Sequence, residues 1–170
     1  FLQLGSCDSI KSLQSCLSVA APDTSLGMWI QGTHWSQDNF GRYPTRHDLD
    51  AYCGDRPCIL WRSCWHIVVC NTRALHMAGL LACDAGSTTA LLPCGFKEPE
   101  GGKIDVDKKG SPTGILRESA VELVLAVMTA KTLAQKRRCV IQGLEQCARF
   151  GITCVQTNDE RCVRVYRQLC

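Results

Sequence analysis

The amino-acid sequence predicts an α/β fold, and three observations carry that reading. Hydrophobic residues make up 45% and charged residues 21% of the 170 residues, a globular composition in a chain long enough to bury a core. Two short apolar runs, Gly27–Gly32 (G-M-W-I-Q-G) and Cys58–Arg62 (C-I-L-W-R), have the length of strands and fall between helix-patterned segments. Further along, a helical pattern from Ala134 to Phe150 stops at Gly151, and the apolar run Ile152–Val155 follows it. Helix, glycine and buried strand is the step from which parallel α/β sheets are built.

Each element has its own signal. From Ser9 to Ala21, the residues Leu13, Cys16, Leu17 and Ala20 recur on one helix face; Asp8 or Ser9 can cap it and Pro22 stops it. Gly27–Gly32 is a strand between glycines, and His34–Gly41 is a polar, aromatic loop. Thr45 starts a short helix, with Asp48 in capping-box position, that carries Leu49 and ends near Gly54. Asp55, Arg56 and Pro57 lead into the strand Cys58–Arg62, and the stretch W-R-S-C-W-H-I-V-V-C (61–70) reads as a strand ending near His66. Asn71 is a good N-cap for the helix Thr72–Ala78, which Gly79 stops. Residues 83–95 carry weak signals, and Pro99–Gly102 is a turn. Lys103–Asp107 alternates Ile104 and Val106 with charges and turns through Lys108-Lys109-Gly110 into P-T-G, a hairpin-like piece. Ile115–Ala130 then reads as a Leu- and Val-rich helix. Because the sequence opens on Phe1 and Val163–Cys170 breaks off mid-pattern, an internal segment of a longer protein is expected.

Composition excludes several classes. A net charge of +3 is mild, and Lys136-Arg137-Arg138 reads as a solvated helix face, so no nucleic-acid partner is expected. No apolar run approaches the ~20 residues of a membrane span. Thirteen cysteines cannot all pair within one chain, and no C-x-x-C occurs, which argues against a zinc ribbon or redox motif. Most stand where Val, Ala or Ser would fit, so reduced thiols in a cytoplasmic protein are expected. There is no phosphate-binding glycine loop, no G-x-S-x-G and no H-E-x-x-H.

A series of segments in order carries a resemblance: W-I-Q-G (29–32), G-R-Y-P-T-R-H-D-L-D (41–50), D-R-P (55–57), the strand ending near His66, N-T-R-A-L (71–75), G-G-K-I (101–104), G-S-P-T-G-I-L-R-E (110–118) and F-G-I-T-C-V (150–155). Together they resemble the YtcJ-like branch of the amidohydrolase superfamily along nearly the whole chain. The resemblance implies a partial (β/α)8 TIM-barrel segment with an inserted α+β region that covers substrate. Its expected division is about 1–57 for the early helix, strand and loop, 58–80 for the histidine-bearing strand and helix, 81–133 for the insertion, and 134–170 for a barrel helix–strand unit. It also implies hydrolysis of non-peptide C–N bonds in small amide-type substrates, by water activated on a divalent metal, zinc by expectation. A His-x-His pair, a lysine, two further histidines and an aspartate supply the ligands in the family. Nothing in this sequence matches them, so the metal is expected to be bound outside the segment.

The resemblance also weights particular residues. In the family the strand usually ends Asp-Gly-His, with the histidine facing the site; here the triplet is Cys64-Trp65-His66. Carried over, His66 contacts the substrate or the developing oxyanion, and Trp65, in place of the small glycine, reshapes the pocket. Trp35 and Gln37 match a G-W-D-Q-like run of the family and are candidates to line the site; a surface loop explains them equally. Asn71 matches a family asparagine, with helix capping as its other role. Glu118 is a site candidate or a helix-start acid, and Arg117 is its candidate partner. Arg62 and Arg46 are carboxylate binders or surface or structural ion partners. Against the enzyme stands a second reading, a truncated or degenerate chain without a metal centre, toward which the cysteines and the altered triplet lean. A cysteine-rich metal module is a third, disfavoured by spacing.

Overall fold

The computed structural model describes residues 1–82, 91–157 and 162–169. The chain divides into two compact units, Phe1–Met128 and Thr129–Cys170.

The first unit is built on one six-stranded mixed sheet, ordered β1-β2-β3-β4-β6-β5. Strand β1 (Leu2–Gln3) leads into α1 (Ile10–Asp23), where Ser9 forms a capping box with Ser12 and Leu13, Leu17 and Ala21 are buried. Strand β2 (Ile30–Trp35) pairs parallel to β1 and is followed by α2 (Gln37–Phe40) and α3 (Arg46–Cys53). Strand β3 (Cys58–Arg62) is parallel to β2, and β4 (Ile67–Cys70) turns back antiparallel to β3. Helix α4 (Thr72–Met77) is capped by Asn71, whose side chain accepts from Ala74 N–H. Strands β5 (Lys103–Val106) and β6 (Pro112–Arg117) form an antiparallel pair that joins the sheet through β4, and a 3-10 turn at Glu118–Ala120 leads into α5 (Val121–Leu125).

Both faces of this sheet are buried, and the central strands show it residue by residue. Leu60, Val69 and Ile115 belong to one core cluster, with Leu13 and Leu17 of α1 and Leu49 of α3. Their neighbours Ile59, Val68 and Leu116 belong to the opposite cluster, with Leu75 of α4 and Val124 of α5. Consecutive residues of a strand point to opposite faces, so a strand covered on both sides reads as an unbroken apolar run. That is why Ile115–Ala130, expected as one helix, resolves into β6, a turn and α5. An apolar pair such as Ile115-Leu116 carries no period that separates helix from strand.

Other expectations shift. The strand expected at Gly27–Gly32 starts later and runs on to Trp35, and the expected loop 34–41 holds the end of β2 and α2. The strand expected to end near His66 is two strands: β3 stops at Arg62, Trp65 N–H donates to Arg62 O at 2.9 Å, and His66 sits in the turn before β4. The weak-signal stretch 83–95 lies partly outside the described residues.

In the second unit, α6 (Leu133–Arg149) has a Thr132–Gln135 capping box, and α7 (Val163–Leu169) buries Val165. The strand expected at Ile152–Val155 is absent; Ile152 is 47% and Val155 55% exposed, and no described strand pairs with them. A strand needs a neighbour's backbone to close its hydrogen bonds, which no run of apolar residues supplies alone. No helix among the described residues is long and apolar enough to cross a membrane.

Gly114 shows how tightly α3 sits on the sheet. Its φ is +105°, and an added Cβ would lie 2.5 Å from Cys70 O and 2.8 Å from Arg46 N. Gly114→Ala is therefore expected to destabilise the fold by about 2 kcal/mol or more, measured by chemical denaturation.

Candidate functional site

The topology gathers one sheet edge. Strands β1, β2, β3 and β6 end there, and β4 and β5 begin there, because β4 and β5 run opposite to the rest. Strand register then sets neighbours: Ile67 pairs with Arg117, and one step beyond the ladder Glu118 N–H donates to His66 O at 2.8 Å. The side chains meet at the same place. His66 Nδ1 and Glu118 Oε2 lie 2.9 Å apart, with 66% and 56% of the side chains exposed. A carboxylate only accepts, so Nδ1–H donates and Nε2 is left facing outward. The hydrogen bond to Glu118, and then its charge, hold His66 above the ordinary histidine value of 6.5.

Among the described residues, three non-glycine residues have left-handed backbone, and all lie at this edge: His34 at φ +72°, Trp65 at +64° and Glu118 at +51°. Such conformations persist where surrounding structure over-determines them, and they concentrate at functional sites. Trp65 is half exposed; its ring lies 5.6 Å from that of Trp61 and meets His34 edge-on at 5.7 Å. Trp61, Trp65, His66, Glu118 and Glu122 line a surface cleft of about 340 Å3. Cys64 flanks it. Burial raises its thiol, but the backbone N–H of His66, the Arg62 guanidinium and the N–H of Ile67 outweigh that and lower it overall.

The other candidates divide. Trp35 is fully buried; its indole N–H donates to Leu60 O at 2.8 Å, and it packs on Phe40 and Tyr43. Asn71 is also buried: it accepts from Cys58 N–H at 2.9 Å and donates to Arg56 O at 2.9 Å, tying β3 to α4. Gln37 is half-buried and accepts from Arg62 Nε at 2.6 Å, next to the edge but outside the cleft. Arg117 pairs with Asp105 at 2.7 Å, not with Glu118, and its guanidinium lies over the Tyr43 ring. Arg46 is buried and structural, and donates to the Thr72 and Ser111 hydroxyls. Sequence reasoning did not single out Trp61, which lines the cleft with His66, or His34, whose ring meets Trp65. The W-x-x-x-W spacing around the turn was the one signal for Trp61, and none existed for His34. Among the described residues, no group of three or more His, Cys, Asp or Glu side chains is placed to hold a metal ion.

Trp65 stands in a conformation that favours glycine. Trp65→Gly is therefore expected to be more stable than Trp65→Ala by about 1 kcal/mol in denaturant titrations, since both lose the ring but only glycine relieves the backbone. The reverse order would show that the turn is unstrained.

The chain is 29% identical over 133 residues to the amidohydrolase YtcJ of Bacillus subtilis (strain 168), covering 77% of this chain and 23% of that protein. It is 34% identical over 100 residues to an N-substituted formamide deformylase of Arthrobacter pascens, covering 58% and 16%. The crystal structure of an uncharacterized metal-dependent hydrolase from Pyrococcus horikoshii OT3 has the same fold over 99% of this chain and 30% of its own, with a TM-score of 0.59 and 24% identity. The chain thus spans less than a quarter of the length of the curated relatives it matches, and less than a third of that structure. The model of the amidohydrolase family matches residues 2–168, nearly every residue of the chain, which therefore belongs to that family.

Proposed function

We propose that the chain is part of a metal-dependent hydrolase that cleaves non-peptide C–N bonds of small amide-type substrates. In this reading the parallel strands β1, β2 and β3 belong with a (β/α)8 barrel and the antiparallel strands β4, β5 and β6 with its inserted α+β region, in one catalytic domain of a cytoplasmic enzyme. A divalent metal, zinc, is held by residues outside this segment and supplies Lewis-acid and water-activating chemistry when bound. The observation that carries the reading is the His66–Glu118 pair at the sheet edge, in a chain that belongs to the amidohydrolase family.

The roles of this chain's own side chains follow from the geometry. Glu118 holds the His66 ring through Nδ1 and favours its protonated form, so Nε2–H is available to a substrate carbonyl oxygen. A donor aimed at an oxygen that gains negative charge is worth more in the transition state than in the ground state. Trp61 and Trp65 form an apolar wall beside it. The second reading, a non-catalytic chain, is favoured by one observation: a bulky tryptophan occupies the left-handed turn position next to His66.

His66 gains its proton partner on folding, so its folded-state pKa is raised. The stability from this pair is complete below the unfolded value and is lost as pH rises through the folded one. NMR titration should place the His66 midpoint above 6.5, and Glu118→Gln should lower it. In the intact protein that carries this segment, His66→Ala should cut kcat about 100-fold with metal content unchanged by mass spectrometry. Loss of the metal would place His66 among its ligands, and full activity would favour the non-catalytic reading.

A further inference from the structure

We propose that Cys7 and Cys16 are a redox-active pair that closes to a disulfide by exchange with a small-molecule disulfide of the glutathione class. The two sulfurs lie 3.7 Å apart, already in contact, while an S–S bond is about 2.05 Å long. Both thiols are held by structure that does not involve the sulfurs. Cys7 lies in the turn after β1, where its N–H donates to Leu4 O at 3.1 Å and its carbonyl accepts from Asn39 Nδ2 at 3.3 Å. Cys16 lies on α1, whose start is fixed by the Ser9–Ser12 capping box. Their exposures are complementary: Cys7 is 4% exposed, whereas Cys16 is only partly buried. The fully buried Cys53, Cys58 and Cys70 lack such an accessible member.

That difference assigns the order of events. The Cys16 thiolate attacks one sulfur of glutathione disulfide, breaking its S–S bond and releasing one glutathione thiolate. The Cys7 sulfur then attacks the Cys16 sulfur, breaking the mixed disulfide and releasing the second glutathione. The two thiol protons end on two glutathione molecules; the cysteines are oxidised and glutathione disulfide is reduced. The bond would staple the β1–α1 connection to the second turn of α1. That connection bears on the strained edge, because a Cβ on Gly5 would lie 3.6 Å from His34 Cβ. None of this depends on the hydrolase reading.

The sequence makes the test direct. Trypsin cleavage after Lys11 leaves Cys7 as the only cysteine of residues 1–11 and Cys16 as the only one of residues 12–42. The full chain is equilibrated in glutathione buffers of rising oxidised fraction, alkylated and mapped by mass spectrometry. The expected product is the cross-linked pair of peptides, lighter by two hydrogens than their sum, with loss of both alkylation sites and recovery on reduction. Cys7→Ser should leave Cys16 as a persistent glutathione adduct, and Cys16→Ser, at the more tolerant position, should leave Cys7 unmodified. A wild-type Cys16 that stays reduced, or that accumulates the mixed disulfide without the cross-link, overturns the proposal.

Discussion

The candidate site depends on the register between β4 and β6. Ile67 pairs with Arg117 and Val68 with Leu116, and the hydrogen bond from Glu118 N–H to His66 O continues that order past the end of the ladder. Once it forms, the two side chains share one edge 2.9 Å apart, although they are 52 positions apart in the chain. A slip of one residue would turn Leu116 and Ile115 to the wrong faces of the sheet. The burial of Ile115 and Leu116 on opposite sides therefore holds the register, and the register holds the pair. Core packing and site geometry here are one constraint rather than two.

The same edge concentrates backbone strain. His34, Trp65 and Glu118 each occupy left-handed backbone where glycine would sit without cost. Trp65 is tied by its ring contacts to Trp61 and His34, and Glu118 by its bonds to His66. Away from the edge, polar residues serve the frame. Asn71 closes three backbone groups at the starts of β3 and α4, Arg117 locks β5 to β6 through Asp105, and Arg46 bridges α4 and the turn before β6.

Helices α1, α3, α4 and α6 were legible in the sequence because their signals are local. Ser9, Thr45, Asn71 and Thr132 stand at helix starts, and Leu13 and Leu17 keep the helical period. The strands were harder. β6 hid inside an apolar run because both of its faces are covered, and the β3–β4 turn hid because S-C-W-H carries no glycine or proline. Trp35 and Asn71 looked like site residues for the features that bury them: a polar handle on a large ring, and an amide with several donors and acceptors. His66 and Glu118 were readable as individual candidates through the resemblance. Their contact was not, because it is set by strand pairing between distant segments.

The pairing itself is best tested by a double-mutant cycle on turnover in the intact protein, with His66→Ala, Glu118→Gln and the two combined. If Glu118 acts by holding and charging the His66 ring, the double variant is no slower than His66→Ala alone, because the carboxylate has nothing left to position. If the two losses multiply, the residues act independently, and the site geometry built on their contact is wrong.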